Sequence, residues 1–275
     1  MRIGVRGHDF GRLPPLQLAQ KLAACGADAV QLAIPKAIEG IDGYGSVSHE
    51  QLDGINAAFA ANDIHIAVLG CYIDPAIWDE RERKAQIGIF KNGIACARAL
   101  GAEVIGTETT AFFGAEKQRG AAFDLLCESL NEMLDAAARQ NVTVAVEPVA
   151  FHTLNTPELT AALLERFSGS GLSVIFDPVN LLTTKNIGGQ SELWSRCLSC
   201  FGRAVTAIHM KDVFVGEDGG LIDTKIGDGA VDYAPIAAWF QENSPNVSLL
   251  REGIIIGEEA DELARIRAIF SSCTL

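Results

Sequence analysis

The sequence predicts an α/β chain folded as a single (β/α)8, or TIM, barrel, and three observations carry that expectation. Short β-branched-rich runs recur at eight places, roughly 2–7, 28–34, 64–72, 103–108, 142–148, 172–177, 204–210 and 247–254, with helical periodicity between them. The chain has 275 residues, which suits one such barrel, typically about 250 residues long. Glu147, Asp177, His209 and Glu252 each sit at or near the end of a run, at intervals of 30, 32 and 43 residues. A strand with its crossover helix takes about 30 residues, so this spacing puts the four side chains on successive strands, at the same end of the barrel.

The elements are punctuated accordingly. The first strand, Arg2-Ile3-Gly4-Val5-Arg6, begins at once. Gly26, Gly101, Asn141, Gly169 with Gly171, and Gly202 stand just ahead of later strands, where helix C-caps are needed. Helix starts are marked by Ser48 with Gln51, by Asp79 with Glu82, and by Thr156-Pro157-Glu158. Between the third and fourth strands, Ile87, Phe90, Ile94, Ala97 and Leu100 fall at helical steps and give one apolar face. No linker or low-complexity segment divides the chain, so residues 1–275 are expected to form one domain. The stretches 35–47, 109–118 and 211–230 read as the longest loops, and in a barrel the loops after the strands build the functional face.

Composition bounds the partners. The chain is 48% hydrophobic and carries a net charge of −13, so most of its surface repels phosphate backbones and nucleic acid is not an expected partner. Seven cysteines, an odd number, fall mostly in apolar periodic stretches and read as reduced thiols. Cys197-x-x-Cys200 has no second ligand pair at metal spacing and reads as helix packing. The N-terminus has no apolar leader pattern and no stretch reaches the length of a membrane span, so a cytoplasmic protein without a membrane partner is expected.

Three carboxylates and one imidazole converging at strand ends make a divalent-metal site with room for substrate. For such a donor set Mn²⁺ is the first expectation, with Mg²⁺, Co²⁺ or Zn²⁺ admissible. A metal acting as a Lewis acid stabilises the enediolate formed when a proton leaves the carbon beside a carbonyl. Glu147 and Glu252 are placed to flank that carbon as the acid/base pair. His8 after the first strand, Glu108 after the fourth, His152 five residues beyond Glu147 and Lys211 two beyond His209 are candidate substrate contacts, and Trp78, Phe112 and Phe113 are candidates for an apolar wall. Lys185, Lys211 and Lys225 are the cations available should the substrate carry a phosphate.

Several motifs in order carry a family resemblance: Glu147-Pro148, Asp177-Pro178-Val179-Asn180, His209-Met210-Lys211-Asp212, the segment Ile226-Gly227-Asp228-Gly229-Ala230-Val231-Asp232-Tyr233, and Glu252. Over nearly its whole length the chain resembles the xylose isomerase-like barrel superfamily, in particular the sugar phosphate isomerase/epimerase group that includes ketose 3-epimerases. The resemblance implies one divalent metal held by Glu147, Asp177, His209 and Glu252, the two glutamates as acid and base, a carbohydrate substrate and a homo-oligomer, dimer or tetramer. Asn180 departs from the pattern, since many relatives place a histidine near this position. The leading function is a metal-dependent sugar or sugar-phosphate isomerase or epimerase. The competing readings are an inosose-type dehydratase on the same metal site, an abasic-site endonuclease-like phosphodiesterase, and a non-catalytic sugar-binding protein.

Overall fold

The computed structural model describes residues 1–243 and 246–271. Eight parallel strands close into a barrel: β1 (Arg2–Arg6), β2 (Ala29–Leu32), β3 (His65–Gly70), β4 (Val104–Glu108), β5 (Thr143–Glu147), β6 (Leu172–Phe176), β7 (Val205–Met210) and β10 (Ser248–Arg251). Each lies inside one of the eight runs read from the sequence. Closure comes from β10 pairing with β1, where Arg2 meets Ser248 and Val5 meets Arg251. Outside the barrel run α1 (Pro15–Ala24), the one-turn α2 (Ile34–Ala37), α3 (His49–Ala60), α4 (Glu80–Leu100), α5 (Arg119–Gln140), α6 (Pro157–Arg166), α7 (Gln190–Phe201), α8 (Ala234–Asn243) and α9 (Glu259–Ser271).

The punctuation works through hydrogen bonds. The Ser48 hydroxyl accepts from the Gln51 N–H at 3.2 Å while the Gln51 side chain accepts from the Ser48 N–H at 2.9 Å, a reciprocal box at the start of α3. Asp79 and Thr156 cap α4 and α6 one way, their side chains accepting from the N–H groups of Glu82 and Leu159. Such caps contribute about 1 kcal/mol each. Helices α4 and α5 end in left-handed Gly101 and Asn141. Gly202 differs from the expectation: its φ of −52° is right-handed. It is small for another reason, since a Cβ there would lie 3.1 Å from the Trp239 indole nitrogen.

Strand side chains alternate with period two, and this decides which residues reach the site. Ala29, Val104, Ala145, Ile175, Ala207 and Leu250 fill the barrel interior as part of one small cluster. Two positions on, past the strand ends or at them, come Gln31, Asp177, Glu147, His209 and Glu252. The intervening residues point outward into the larger core shared with the helices. Phe176, for example, packs edge-on against Trp194 and Phe201, with centroids 6.1 and 5.5 Å away. That packing anchors the strand immediately before Asp177.

The stretch 211–230, read from sequence as a loop, contains an antiparallel hairpin, β8 (Asp212–Val215) with β9 (Leu221–Thr224). Its strands are short and rich in β-branched residues, and the Gly-Glu-Asp-Gly-Gly turn at 216–220 lets them pair outside the barrel. Cys197 and Cys200 lie within α7, and both are free thiols. Cys273 falls outside the described residues. Among the described residues no helix is long and apolar enough to cross a membrane.

Candidate metal centre

Three strand ends bring Glu147, Asp177 and His209 together, with ligand atoms all within 4.8 Å of one another. All three residues are buried. The His209 Nδ1 faces Glu147 Oε2 at 3.4 Å, Asp177 Oδ2 at 3.4 Å and Glu252 Oε1 at 3.5 Å. It has no hydrogen-bond partner, although it is buried. Donor atoms about 2.0–2.2 Å from a shared ion stand about 3–3.5 Å apart at ordinary coordination angles. An orphaned imidazole nitrogen ringed by carboxylate oxygens at that separation fits a divalent cation.

The other ring nitrogen explains the orientation of the histidine. His209 Nε2 is paired with the Gln31 amide oxygen at 2.5 Å, and the Gln31 amide nitrogen donates to Glu252 Oε1 at 3.2 Å and to the Tyr72 hydroxyl. With Nε2 held by an acceptor, Nδ1 is left as the atom free to face an ion. Sequence reading does not single out Gln31 or Tyr72. The signal was present, since Gln31 is a fully buried amide inside an apolar strand, where an unpartnered polar group would be costly.

Glu252 is placed differently from the other three. Its Oε1 approaches His209, but Glu252 stands outside the group of atoms sharing the 4.8 Å radius. Its Oε2 lies 2.7 Å from Lys211 Nζ and 3.3 Å from Arg6. Lys211 also pairs with Asp177 Oδ2 at 2.9 Å and donates to Asn180 Oδ1 at 3.1 Å. Asn180, the departure from the family pattern, donates in turn to Glu147 Oε1 at 2.5 Å, and its backbone N–H donates to Asp177 at 2.9 Å.

The charges set one another's protonation. Burial would push the Glu252 carboxyl up, yet His209, Lys211 and Arg6 hold it far below the ordinary carboxylate range. Burial likewise raises Asp177, and Lys211 and His209 outweigh it to leave the carboxyl lowered. Lys211 is held above its ordinary value: Asp177 and Glu252 overcome the burial that would lower it. Glu108 is pushed up to about 7, by burial first and then by the charges of Glu147 and Glu252. Its strand places it directly beside Glu147 in the β4–β5 register.

The remaining candidates divide. His152 Nε2 lies 3.7 Å from Glu108 Oε2, and burial lowers the His152 pKa. His8 is brought down to about 4, by burial first and then by Arg6. Each keeps a buried Nδ1 without a partner. The expected aromatic wall is not assembled: Phe113 is 90% exposed and Trp78 58%, while Phe112 is covered by the Arg119 guanidinium 4.3 Å from its centroid. Lys225 is engaged by Glu258, and Lys185 stands further out on the rim.

Two buried knots fix the backbone beneath the site. Asp212 accepts from the N–H groups of Gly227 (2.8 Å), Val213 (2.9 Å), Gly229 (3.1 Å) and Val231 (3.1 Å). A Cβ at Gly229 would stand 2.1 Å from that carboxylate, which accounts for the glycine. Arg251 donates to Glu262 at 2.6 Å and to the carbonyls of Met210, Thr224, Glu252 and Gly253. It thereby ties the chain after β7 to the turn that carries Glu252.

The sequence signature of the xylose isomerase-like TIM barrel family matches residues 19–255. The chain belongs to this family. No curated protein matches the chain in sequence. Among solved structures, a D-tagatose 3-epimerase-like protein superposes with a TM-score of 0.77 at 17% identity, over 99% of this chain and 97% of that one. The 3-keto-D-glucoside 4-epimerase YcjR from E. coli superposes with a TM-score of 0.75 at 15% identity, over 98% and 99%. An IolI protein with a bound zinc atom superposes with a TM-score of 0.71 at 15% identity, over 99% of both chains. At these identities the likeness is one of fold: the xylose isomerase-like barrel is shared, and the chemistry is argued from the side chains.

Proposed function

We propose that the protein is a divalent-metal-dependent sugar or sugar-phosphate isomerase or epimerase that moves a proton at the carbon next to a carbonyl. The observation that carries this reading is the pair of glutamates converging on His209 Nδ1, at 3.4 and 3.5 Å, from strands on the two sides of β7. Glu147, Asp177 and His209 would hold the ion, with Glu252 as fourth donor. Mn²⁺ is the preferred ion, and Mg²⁺, Co²⁺ or Zn²⁺ suit the same oxygens and nitrogen. When bound, the ion would supply Lewis-acid polarisation of the substrate carbonyl.

The chain's own groups supply the rest. Glu252, beside Lys211 and Arg6, would accept a proton from one face of the carbon. Glu147, held in place by the Asn180 amide, would enter as the neutral acid and give its proton to the other face, and exchange with solvent would restore both glutamates. Such acid–base assistance contributes typically about 10²–10⁴-fold. Lys211, Glu108, His152 and His8 are proposed substrate contacts, with the raised Glu108 able to donate a hydrogen bond to a sugar hydroxyl as the neutral acid.

The test is solvent deuterium uptake into a panel of ketoses and ketose phosphates by the metal-loaded protein, with Glu147→Gln and Glu252→Gln beside it. Deuterium at one carbon in the wild type, lost in either variant, is the expected result. Water loss with an ultraviolet-absorbing enone would assign the dehydratase reading instead. Sugar binding without exchange, whatever the metal, would leave a binding protein.

A further inference from the structure

We infer that the barrel mouth carries a subsite for a second sugar ring, so that the substrate is a glycoside or short saccharide bearing a keto group. This rests on the carbohydrate reading above. The loops after β5, β6 and β7 follow the strands that present Glu147, Asp177 and His209. Together they enclose a cleft of about 510 Å³, lined by Phe151, Leu182, Thr183, Thr184, Lys185 and the 219–221 turn of the β8–β9 hairpin. That volume is within the range of about 300–1,000 Å³ common for small-molecule sites.

The lining has the two surfaces a pyranose needs. Phe151 and Leu221 offer apolar area to the C–H face of a ring. Phe151 is 62% exposed, and its backbone is fastened on both sides. The Phe151 carbonyl accepts from the Phe112 N–H at 2.8 Å, the Ala150 N–H donates to the Asn180 carbonyl at 2.8 Å, and the His152 carbonyl accepts from Arg119 at 2.8 Å. The ring is therefore presented outward by a fixed frame. The same lining holds the Thr183 and Thr184 hydroxyls and the Lys185 ammonium, which make no hydrogen bond or ion pair with other described residues and so are free for sugar hydroxyls.

The cleft is tied to the metal centre through the chain that lines it. Asn180, whose side chain links Glu147 and Lys211, is two residues from Leu182 on the same turn, and its carbonyl holds the Phe151 loop. A ring whose keto carbon sat between the glutamates would direct its substituent along this turn. One lysine beside an aromatic ring and two leucines is a poor phosphate cradle, which would call for several converging N–H groups or guanidinium forks. It suits a neutral ring with hydroxyls on its edge.

The experiment compares metal-loaded wild type with Phe151→Ala and with the Thr183→Val, Thr184→Val double variant. Solvent deuterium uptake is measured for 3-keto-D-glucose and for the 3-keto derivatives of maltose, cellobiose and sucrose. In parallel, saturation-transfer NMR follows the unreactive parent disaccharides. We expect at least one keto-disaccharide to exceed keto-glucose tenfold in kcat/KM, and Phe151→Ala to collapse that ratio through KM. Saturation of the second ring should be seen in the wild type and lost in the variants. Second-ring saturation without deuterium entering any sugar would overturn the proton-transfer reading and leave the subsite standing. Equal handling of one- and two-ring sugars, or no second-ring saturation in the wild type, would overturn the subsite. A change in molar mass for Phe151→Ala by light scattering, with no effect on saccharides, would do the same and assign the face to contact between copies.

Discussion

Strands β5 and β10 both lead into a glutamate aimed at His209, yet the two carboxylates live in different company. Glu147 is held by a neutral amide, Asn180, and shares the tight cluster with Asp177 and His209. Glu252 is engaged by two cations, Lys211 and Arg6, and by the Gln31 amide, and it stands outside that cluster. Identical side chains at equivalent ends of a barrel thus acquire different work from their neighbours. In the proposed function the β5–β6–β7 side would grip an ion, and the β10–β1 side would surround a carboxylate with cations.

The largest effect that would break this contrast lies in the metal content. His209→Ala should leave no stoichiometric divalent metal by elemental analysis, whereas Glu252→Gln should retain a substantial share and still lose proton exchange. If both variants lost the ion equally, the four donors would be equivalent and the division would fail. The next effect concerns the support beneath Glu252. Arg251→Met leaves Glu262 buried without its cation, and should cost about 3–5 kcal/mol in urea unfolding. Equivalent loss from a rim pair such as Arg166 with Asp124, both half-exposed or more, would deny the β10 side its special scaffold.

A smaller effect sharpens the link between the two sides. Gln31→Leu removes the partner of His209 Nε2 and one donor to Glu252, and a loss of such an outer partner typically weakens metal affinity about 10–100-fold. Calorimetric metal titration reads it directly. The smallest concerns His8, beside Arg6. Its folded pKa of about 4 lies below the ordinary 6.5, so between those values the unfolded chain binds a proton that the folded chain does not. Stability should therefore fall as pH drops through that window, and His8→Asn should flatten the slope in thermal melts at stepped pH.

Much of the Glu147–Asp177–His209 cluster was legible because it follows from period and punctuation. Asp177 lies two residues beyond Ile175, and His209 two beyond Ala207, so once the strands are placed the side chains must share the interior face. The β10 side was harder to read. Arg251 looks in sequence like a charge at a strand end, and only folding brings five acceptors from four segments around it. Gln31 reads as a slip in an apolar run until His209, 178 residues away, is brought to its side. The hairpin in 211–230 was missed because its strands are four residues each and border the long polar turn. The aromatic wall failed because proximity in sequence to the strand ends does not decide which way a loop side chain turns.

Asp212 has a consequence for how this barrel tolerates change. By gathering four amide groups from residues 213–231, its carboxylate closes the chain on itself like the knot of a lariat, with the β8–β9 hairpin as the loop beyond it. Length or composition altered at the hairpin tip, between Gly216 and Gly220, is absorbed outside the knot and need not be transmitted to His209 three residues before it. The tip is thus an exchangeable module, and a natural place to engraft new recognition without disturbing the strands that present His209 and its neighbours.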